Sequence, residues 1–276
     1  MTCAFTILRP LNQGGNADLV LARLNDGGAI VVIKFLREYH LPHARRAFAR
    51  EVRVLERRVH GLIPVLFADL NAPQPFYGMP YLRGGSLTQY AGRLTDIQLH
   101  SIATDLARTL GALHAGFVTH GDIKPDNVMV SDDGQLRVAD PLGNGIGCTM
   151  LFSENHGGTP GYWASEIRQR APISRAGDSY SYGATLYHLS IGHRPLDGHP
   201  LALDPEHRRT SPKICEIIAA CCQSEPDARP TMPEVLRMLN GVRWADLQIE
   251  RKQRQNLVTA ACVLGGLVVL GAALRA

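Results

Sequence analysis

The 276-residue sequence is short of lysine and of dense charge of either sign, and these shortages narrow what it can do. Only four lysines occur, Lys34, Lys124, Lys213 and Lys252, so scattered arginines carry most of the positive charge. No basic block is denser than Arg251, Lys252 and Arg254, and the net charge is a modest +4. No nucleic-acid partner is expected from that distribution. The six cysteines (Cys3, Cys148, Cys215, Cys221, Cys222, Cys262) make no C-x-x-C pair and have no histidine at zinc-ligand spacing. Reduced thiols in a cytosolic compartment are therefore expected. No basic-then-apolar leader opens the chain, so no cleaved secretory signal is expected either. With 45% hydrophobic and 20% charged residues, disorder is disfavoured and a sizeable core can form.

What is present centres on His120-Gly121-Asp122-Ile123-Lys124-Pro125-Asp126-Asn127. An apolar, helix-patterned run ending near Phe117 precedes it, and a β-like run, Val128-Met129-Val130, follows, so the octapeptide is a helix-to-strand loop. It holds an acid able to orient a hydroxyl, a cation able to hold a phosphate and an amide able to ligate a hard metal ion. Phosphoryl transfer needs that combination, because catalysis there is mostly positioning and charge neutralisation. Asp122 and Lys124 are the candidate catalytic residues, and Asn127 is a candidate metal ligand.

The octapeptide closely resembles the catalytic loop of protein kinases, H-R-D-x-K-x-x-N, with Gly121 in place of the usual arginine. Elsewhere the order of features follows the same family. Leu11-Asn12-Gln13-Gly14-Gly15-Asn16-Ala17-Asp18-Leu19 is similar to the kinase glycine loop, with Gly14 as the retained middle glycine and Leu19 at the valine position. Val31-Val32-Ile33-Lys34 resembles the V-A-I-K strand, which implies Lys34 on the α- and β-phosphates and Val32 over the adenine. Two strands joined through Asn25-Asp26-Gly27-Gly28 fit this stretch. Residues 42–59 carry Phe48, Val52, Leu55 and Val59 as one apolar helical stripe, with Glu51 beside it as the expected partner of Lys34.

Phe76 to Leu87 resembles the kinase hinge, which implies Met79 at the gatekeeper position, adenine contacts through Pro80 and Leu82, and Met129 as the floor beneath the base. Thr95-Asp96-Ile97-Gln98 has the form of a capping box opening a helix with Ile102, Leu106, Leu110 and Leu113 as its buried stripe. Leu136 to Asp140 is a short strand ending in an acid, and Asp140-Pro141-Leu142 stands where kinases carry D-F-G, so Asp140 is the expected principal metal ligand. Gly157 to Glu166 resembles the end of a kinase activation segment, which implies a buried Glu166–Arg229 pair, and Asp178 is similar to the aspartate that holds the catalytic loop. Thr149, Ser153 and Thr159 are autophosphorylation candidates by location. His120 is expected to pack and support backbone rather than carry a proton.

Leu257 to Leu274 is an 18-residue run with no charge and no proline, about 27 Å long as a helix, enough to cross a hydrocarbon core. Arg251, Lys252 and Arg254 before it, against Arg275 after it, favour a cytoplasmic amino-terminal side. The small residues Ala261 and Gly265 suggest a homodimer through the span.

The expectation is an α+β, two-lobed, protein-kinase-like fold with a small β-rich lobe and hinge at 5–82 and a larger, mainly helical lobe at 83–242. A linker at 243–256 and one transmembrane helix at 257–274 follow. The resemblance implies an ATP- and Mg2+-dependent serine/threonine kinase (Lys124 being the Ser/Thr choice), with Mn2+ as an alternative ion, a protein substrate, and a single-pass anchor in a bacterial inner membrane. A membrane-bound pseudokinase scaffold and a small-molecule phosphotransferase of the aminoglycoside or choline kinase type remain as alternatives.

Overall fold

The computed structural model describes residues 4–14, 17–142, 161–196, 201 and 210–256. Its first part is a five-stranded antiparallel sheet with strand order β1-β2-β3-β5-β4, formed by β1 (Phe5–Gly14), β2 (Ala17–Leu24), β3 (Ile30–Leu36), β4 (Phe67–Asp69) and β5 (Phe76–Pro80). The β2–β3 turn puts Gly27 and Gly28 at φ 81° and 69°, left-handed values that explain glycine at both places. Pro10 lies on the edge strand β1 beside two register shifts, where a missing N–H does least harm.

β3 runs through the middle of the sheet and is covered on both faces. Val31 and Ile33 pack outward against Phe5, Phe35, Phe67 and Phe76, whereas Val32 joins the main core on the inner face. Lys34 is two residues on from Val32 and shares that inner face. Helix α1 (Pro42–Leu55) starts with proline at its first turn and buries Ala44, Phe48, Val52 and Leu55. The helix is shorter than the 42–59 stripe predicts. Arg58 takes φ 51°, which ends helical continuation, and Val59 packs on the core from the turn beyond.

The second part is built from α2 (Asp96–Ala115), α3 (Ser165–Arg168), α4 (Arg175–Ile191), α5 (Pro212–Cys221), α6 (Met232–Leu239) and helical residues 244–256. The expected capping box forms, with Thr95 and Gln98 each serving the other's backbone N–H, and Leu106, Leu110 and Leu113 are fully buried. α4 lies against α2, and the buried Tyr182 hydroxyl donates to Ala103 O at 2.9 Å. A two-stranded hairpin, β6 (Val128–Val130) and β7 (Leu136–Val138), follows the 120–127 loop. β7 stops before Asp140, which takes φ 57°, rather than running to it as the sequence pattern suggests. One continuous hydrophobic core joins Val32, Leu55 and Tyr77 to the residues of α2, α4, α5 and α6.

The small β-rich lobe and larger helical lobe are thus present. Among the described residues no helix is long and apolar enough to cross a membrane. The 257–274 segment, and with it the expected span, lies outside the described residues, as do Thr149, Ser153 and Thr159.

Candidate active site

The 120–127 loop is held from below by one buried carboxylate. Asp178, on the first turn of α4, accepts the His120 N–H through Oδ2 at 2.8 Å and the Gly121 N–H through Oδ1 at 2.7 Å. His114, near the end of α2, donates from Nε2 to the same Oδ2 at 2.9 Å. His114 did not stand out in the sequence, although a polar residue on the apolar stripe of α2 is the signal that could have found it.

His120 is fully buried. Its Nε2 lies 3.0 Å from the carbonyl oxygen of Ala139 and its Nδ1 lies 3.2 Å from the Asp122 N–H. Those partners assign the proton to Nε2 and leave Nδ1 as an acceptor. Burial outweighs the nearby carboxylates and lowers the His120 pKa, so the ring is a neutral support, as expected. Gly121 has φ 84°, and a Cβ there would stand 2.8 Å from Ile173 Cδ1. The position that usually carries arginine is therefore disfavoured for a side chain by its conformation, and Ile173 would have to shift to admit one.

Asp122 is gripped on one side and unpartnered on the other. Lys124 Nζ and Asn127 Nδ2 both donate to its Oδ2 at 2.8 Å, and Asn127 Nδ2 also donates to its backbone carbonyl at 2.8 Å. Its Oδ1 is buried with no hydrogen-bond partner. An unpaired buried carboxylate oxygen is costly unless a ligand donates to it. Because the amide nitrogen of Asn127 serves Asp122, its amide oxygen is the end left for a cation.

Lys34 is the centre of a second network. Its Nζ donates to Glu51 Oε1 at 2.7 Å and to Asp140 Oδ1 at 2.8 Å. Burial pulls the ammonium pKa down, but Asp140 and Glu51 outweigh it, so Lys34 stays charged well above the usual lysine range. Glu51 is pushed up by burial despite Lys34, whereas Asp140 is held below the usual carboxylate range because Lys34 outweighs its desolvation. The Asp140 side chain keeps 39% of its surface exposed, so its carboxylate is accessible to a ligand. Tyr77, which sequence reasoning missed, donates to Glu51 Oε1 at 2.6 Å from β5. Strand alternation, which puts it on the face of Met79, was the only clue.

The two networks are tied through backbone. Ala139 N donates to Asn127 O at 2.8 Å, which places the residue before Asp140 against Asn127, and Leu142 N donates to His120 O at 2.8 Å. Of the residues expected at the nucleotide, Val32 and Met79 are buried cross-strand partners, and the half-buried Pro80 pairs with Val31. Leu11 and Leu19 are half-buried against the main core, as is Leu82, and Met129 on β6 bridges to Ser86. Gly14 closes the β1–β2 ladder opposite Ala17, and Ala17 is extended in β2 and needs no positive φ.

The donor set suits a nucleotide with a hard divalent ion. Among the described residues no cluster of three or more His, Cys, Asp or Glu side chains could hold a metal alone. One carboxylate and one amide, Asp140 and Asn127, match an ion whose remaining positions come from phosphate oxygens and water. Behind the site, Arg229 makes a bidentate pair with Glu166 at 2.6 and 3.0 Å and fixes the chain that leads into α4.

A family model described as the protein kinase domain matches residues 5–239. The DNA damage-responsive serine/threonine-protein kinase RqkA of Deinococcus radiodurans is 30% identical over 242 residues, covering 78% of this chain and 35% of the relative. The probable serine/threonine-protein kinase PkwA of Thermomonospora curvata is 31% identical over 258 residues, covering 86% and 34%. AfsK of Streptomyces griseus, also a serine/threonine-protein kinase, is 32% identical over 205 residues, covering 70% and 25%. The chain thus spans about a third or less of the length of these curated relatives. With that match laid over the Lys34–Glu51–Asp140 network and the Asp122 loop, the chain belongs to the protein kinase family.

Proposed function

We propose that this protein transfers the γ-phosphate of ATP to serine or threonine hydroxyls of a protein substrate. The observation that carries the reading is Asp122, whose Oδ2 is fixed by Lys124 and Asn127 while its buried Oδ1 has no partner. That oxygen can accept the hydrogen of an incoming hydroxyl and orient it. Lys124 offsets charge beside it, and Lys34 offers a fixed ammonium to the α- and β-phosphates in place of its bond to Asp140. Asp140 and Asn127 would hold Mg2+, or Mn2+, which supplies charge neutralisation on the phosphates. Leu11, Gly14, Leu19, Val32, Met79, Pro80, Leu82 and Met129 would line the nucleotide.

The test is transfer of labelled γ-phosphate by the full chain with Mg2+ and a generic protein substrate, beside an Asp122→Asn control. Label on serine or threonine that vanishes in the control is expected. Transfer only to small-molecule hydroxyls, or nucleotide binding without transfer, sinks the reading.

The uncharged run 257–274 supports a second part of the proposal, a single membrane span with the kinase on the cytoplasmic side. Ala261 and Gly265 would form a small-residue face for a homodimer in the membrane. The full chain is expected to resist alkaline extraction from membranes, and a chain ending at residue 256 to be released. Equal release of both removes the anchor.

A further inference from the structure

We propose that Tyr77 is a positioning residue for Lys34, acting through Glu51, so that the lysine stays aligned when it turns from Asp140 to a nucleotide phosphate. The inference deepens the kinase reading and rests on it. Tyr77 donates to Glu51 Oε1 at 2.6 Å, the same oxygen that accepts Lys34 Nζ at 2.7 Å. Both donors reach that oxygen from the sheet. Lys34 and Tyr77 are cross-strand partners in β3 and β5, and the Lys34 ammonium lies 5.8 Å from the Tyr77 ring centroid. Glu51 comes from the other side, on α1, and Phe48 one turn earlier on that helix packs on the Tyr77 ring with centroids 5.4 Å apart.

This arrangement separates two tasks. Lys34 divides its donors between Glu51 and Asp140, and a nucleotide would claim the bond now made to Asp140. Among the described residues Glu51 is then the one remaining carboxylate on the lysine, and its own position decides where the ammonium points. The fully buried Tyr77 hydroxyl bonds, among the described residues, to Glu51 alone. Burial raises its pKa well above the ordinary tyrosine value, and the Glu51 carboxylate raises it further, so the group remains a donor at every working pH. It ties α1 to β5 whether or not Lys34 is engaged elsewhere.

The experiment compares full-length wild type, Tyr77→Phe, Glu51→Ala and the double variant. Their dissociation constants for Mg·ADP are measured by calorimetry, and KM and kcat for ATP by phosphate transfer. Phenylalanine keeps the ring and its packing on Phe48. The expected result for Tyr77→Phe is nucleotide Kd and KM about tenfold higher, with kcat changed much less, since the lost alignment acts on binding. In the Glu51→Ala background, the same tyrosine change should alter Kd less than twofold, because its route to Lys34 is already gone. If Glu51→Ala does not fold, Glu51→Gln serves, and the tyrosine effect should shrink there too.

Wild-type affinity in Tyr77→Phe overturns the proposal, and so does an equal loss in both backgrounds, which marks plain packing. A wild type that binds Mg·ADP but phosphorylates no protein removes the kinase reading while the Kd cycle still decides this one. A wild type that binds no nucleotide removes both.

Discussion

Truncating Arg229 to alanine should destabilise the protein severely without touching the chemistry directly. All five N–H groups of Arg229 are engaged: Nε with Gln223 O at 2.8 Å, one terminal nitrogen with Glu166 Oε1 and Ala176 O at 2.6 and 3.0 Å, and the other with Glu166 Oε2 and Ser224 O, both at 3.0 Å. Its side chain is 1% exposed and that of Glu166 is 20% exposed. Breaking a buried ion pair from one side costs about 3–5 kcal/mol, and partial access of water to Glu166 places the expectation near about 3. For a chain of this size that lowers Tm by about 6–12 °C. The assay is thermal unfolding followed by circular dichroism over a range of pH. Burial pulls the Glu166 carboxyl upward, but Arg229 outweighs it and holds the group below the ordinary carboxylate range. A carboxylate so lowered adds stability that is complete above its unfolded pKa, about 4.3, and is lost as pH falls through the lower folded value. Glu166→Gln should remove that part of the acid sensitivity. An Arg229→Ala Tm within about 2 °C of wild type, or an unchanged acid profile in Glu166→Gln, refutes the reasoning.

Three further outcomes follow from the loop geometry. Gly121→Ala should cost about 1–2 kcal/mol for a left-handed alanine and about 1–3 more for the contact with Ile173; urea unfolding measures it, and a stability equal to wild type would show that φ 84° is not required. Asp178→Asn turns one acceptor into a donor facing a backbone N–H or His114, so about 2–3 kcal/mol of stability and most phosphate transfer should be lost. Retained transfer at full rate would separate the loop's position from Asp178. His120 has a lowered pKa, so the unfolded chain takes up its proton first and stability falls as pH drops below about 6.5. Nitrogen-15 spectra of the imidazole should show the neutral ring protonated on Nε2 and its charging displaced below the ordinary histidine range, and charging at or above that range would contradict the structure.

Much of the site was legible because its chemistry is packed into short motifs with strict spacing. In a chain with four lysines, Lys34 after three β-branched residues and Lys124 two residues after Asp122 are conspicuous. The Thr95–Gln98 capping box was readable for the same reason, since both partners lie within one helical turn. The end of α1 was not. Val59 continues the apolar spacing, and apolar period alone does not reveal that Arg58 leaves the helix and that Val59 reaches the core from a turn. Tyr77 and His114 were missed because each lies in an apolar element and differs from its neighbours only by one polar atom.

From sequence alone came the residue types, their local periods, the helix start at Thr95, and an order of motifs that points to phosphoryl transfer. Those features depend on contacts over a few residues, which the chain's own geometry makes unavoidable. Tertiary structure decided which of them meet. Glu51 lies 17 residues from Lys34 and Asp140 lies 106, yet both carboxylates share one ammonium; Asp178 lies 58 residues from the His120 amide it holds. A buried polar atom must find a partner, but the partner is set by how sheet and helices cross in space. That crossing leaves Tyr77 on Glu51, sets Gly121 against Ile173, and leaves the buried Asp122 Oδ1 without a partner.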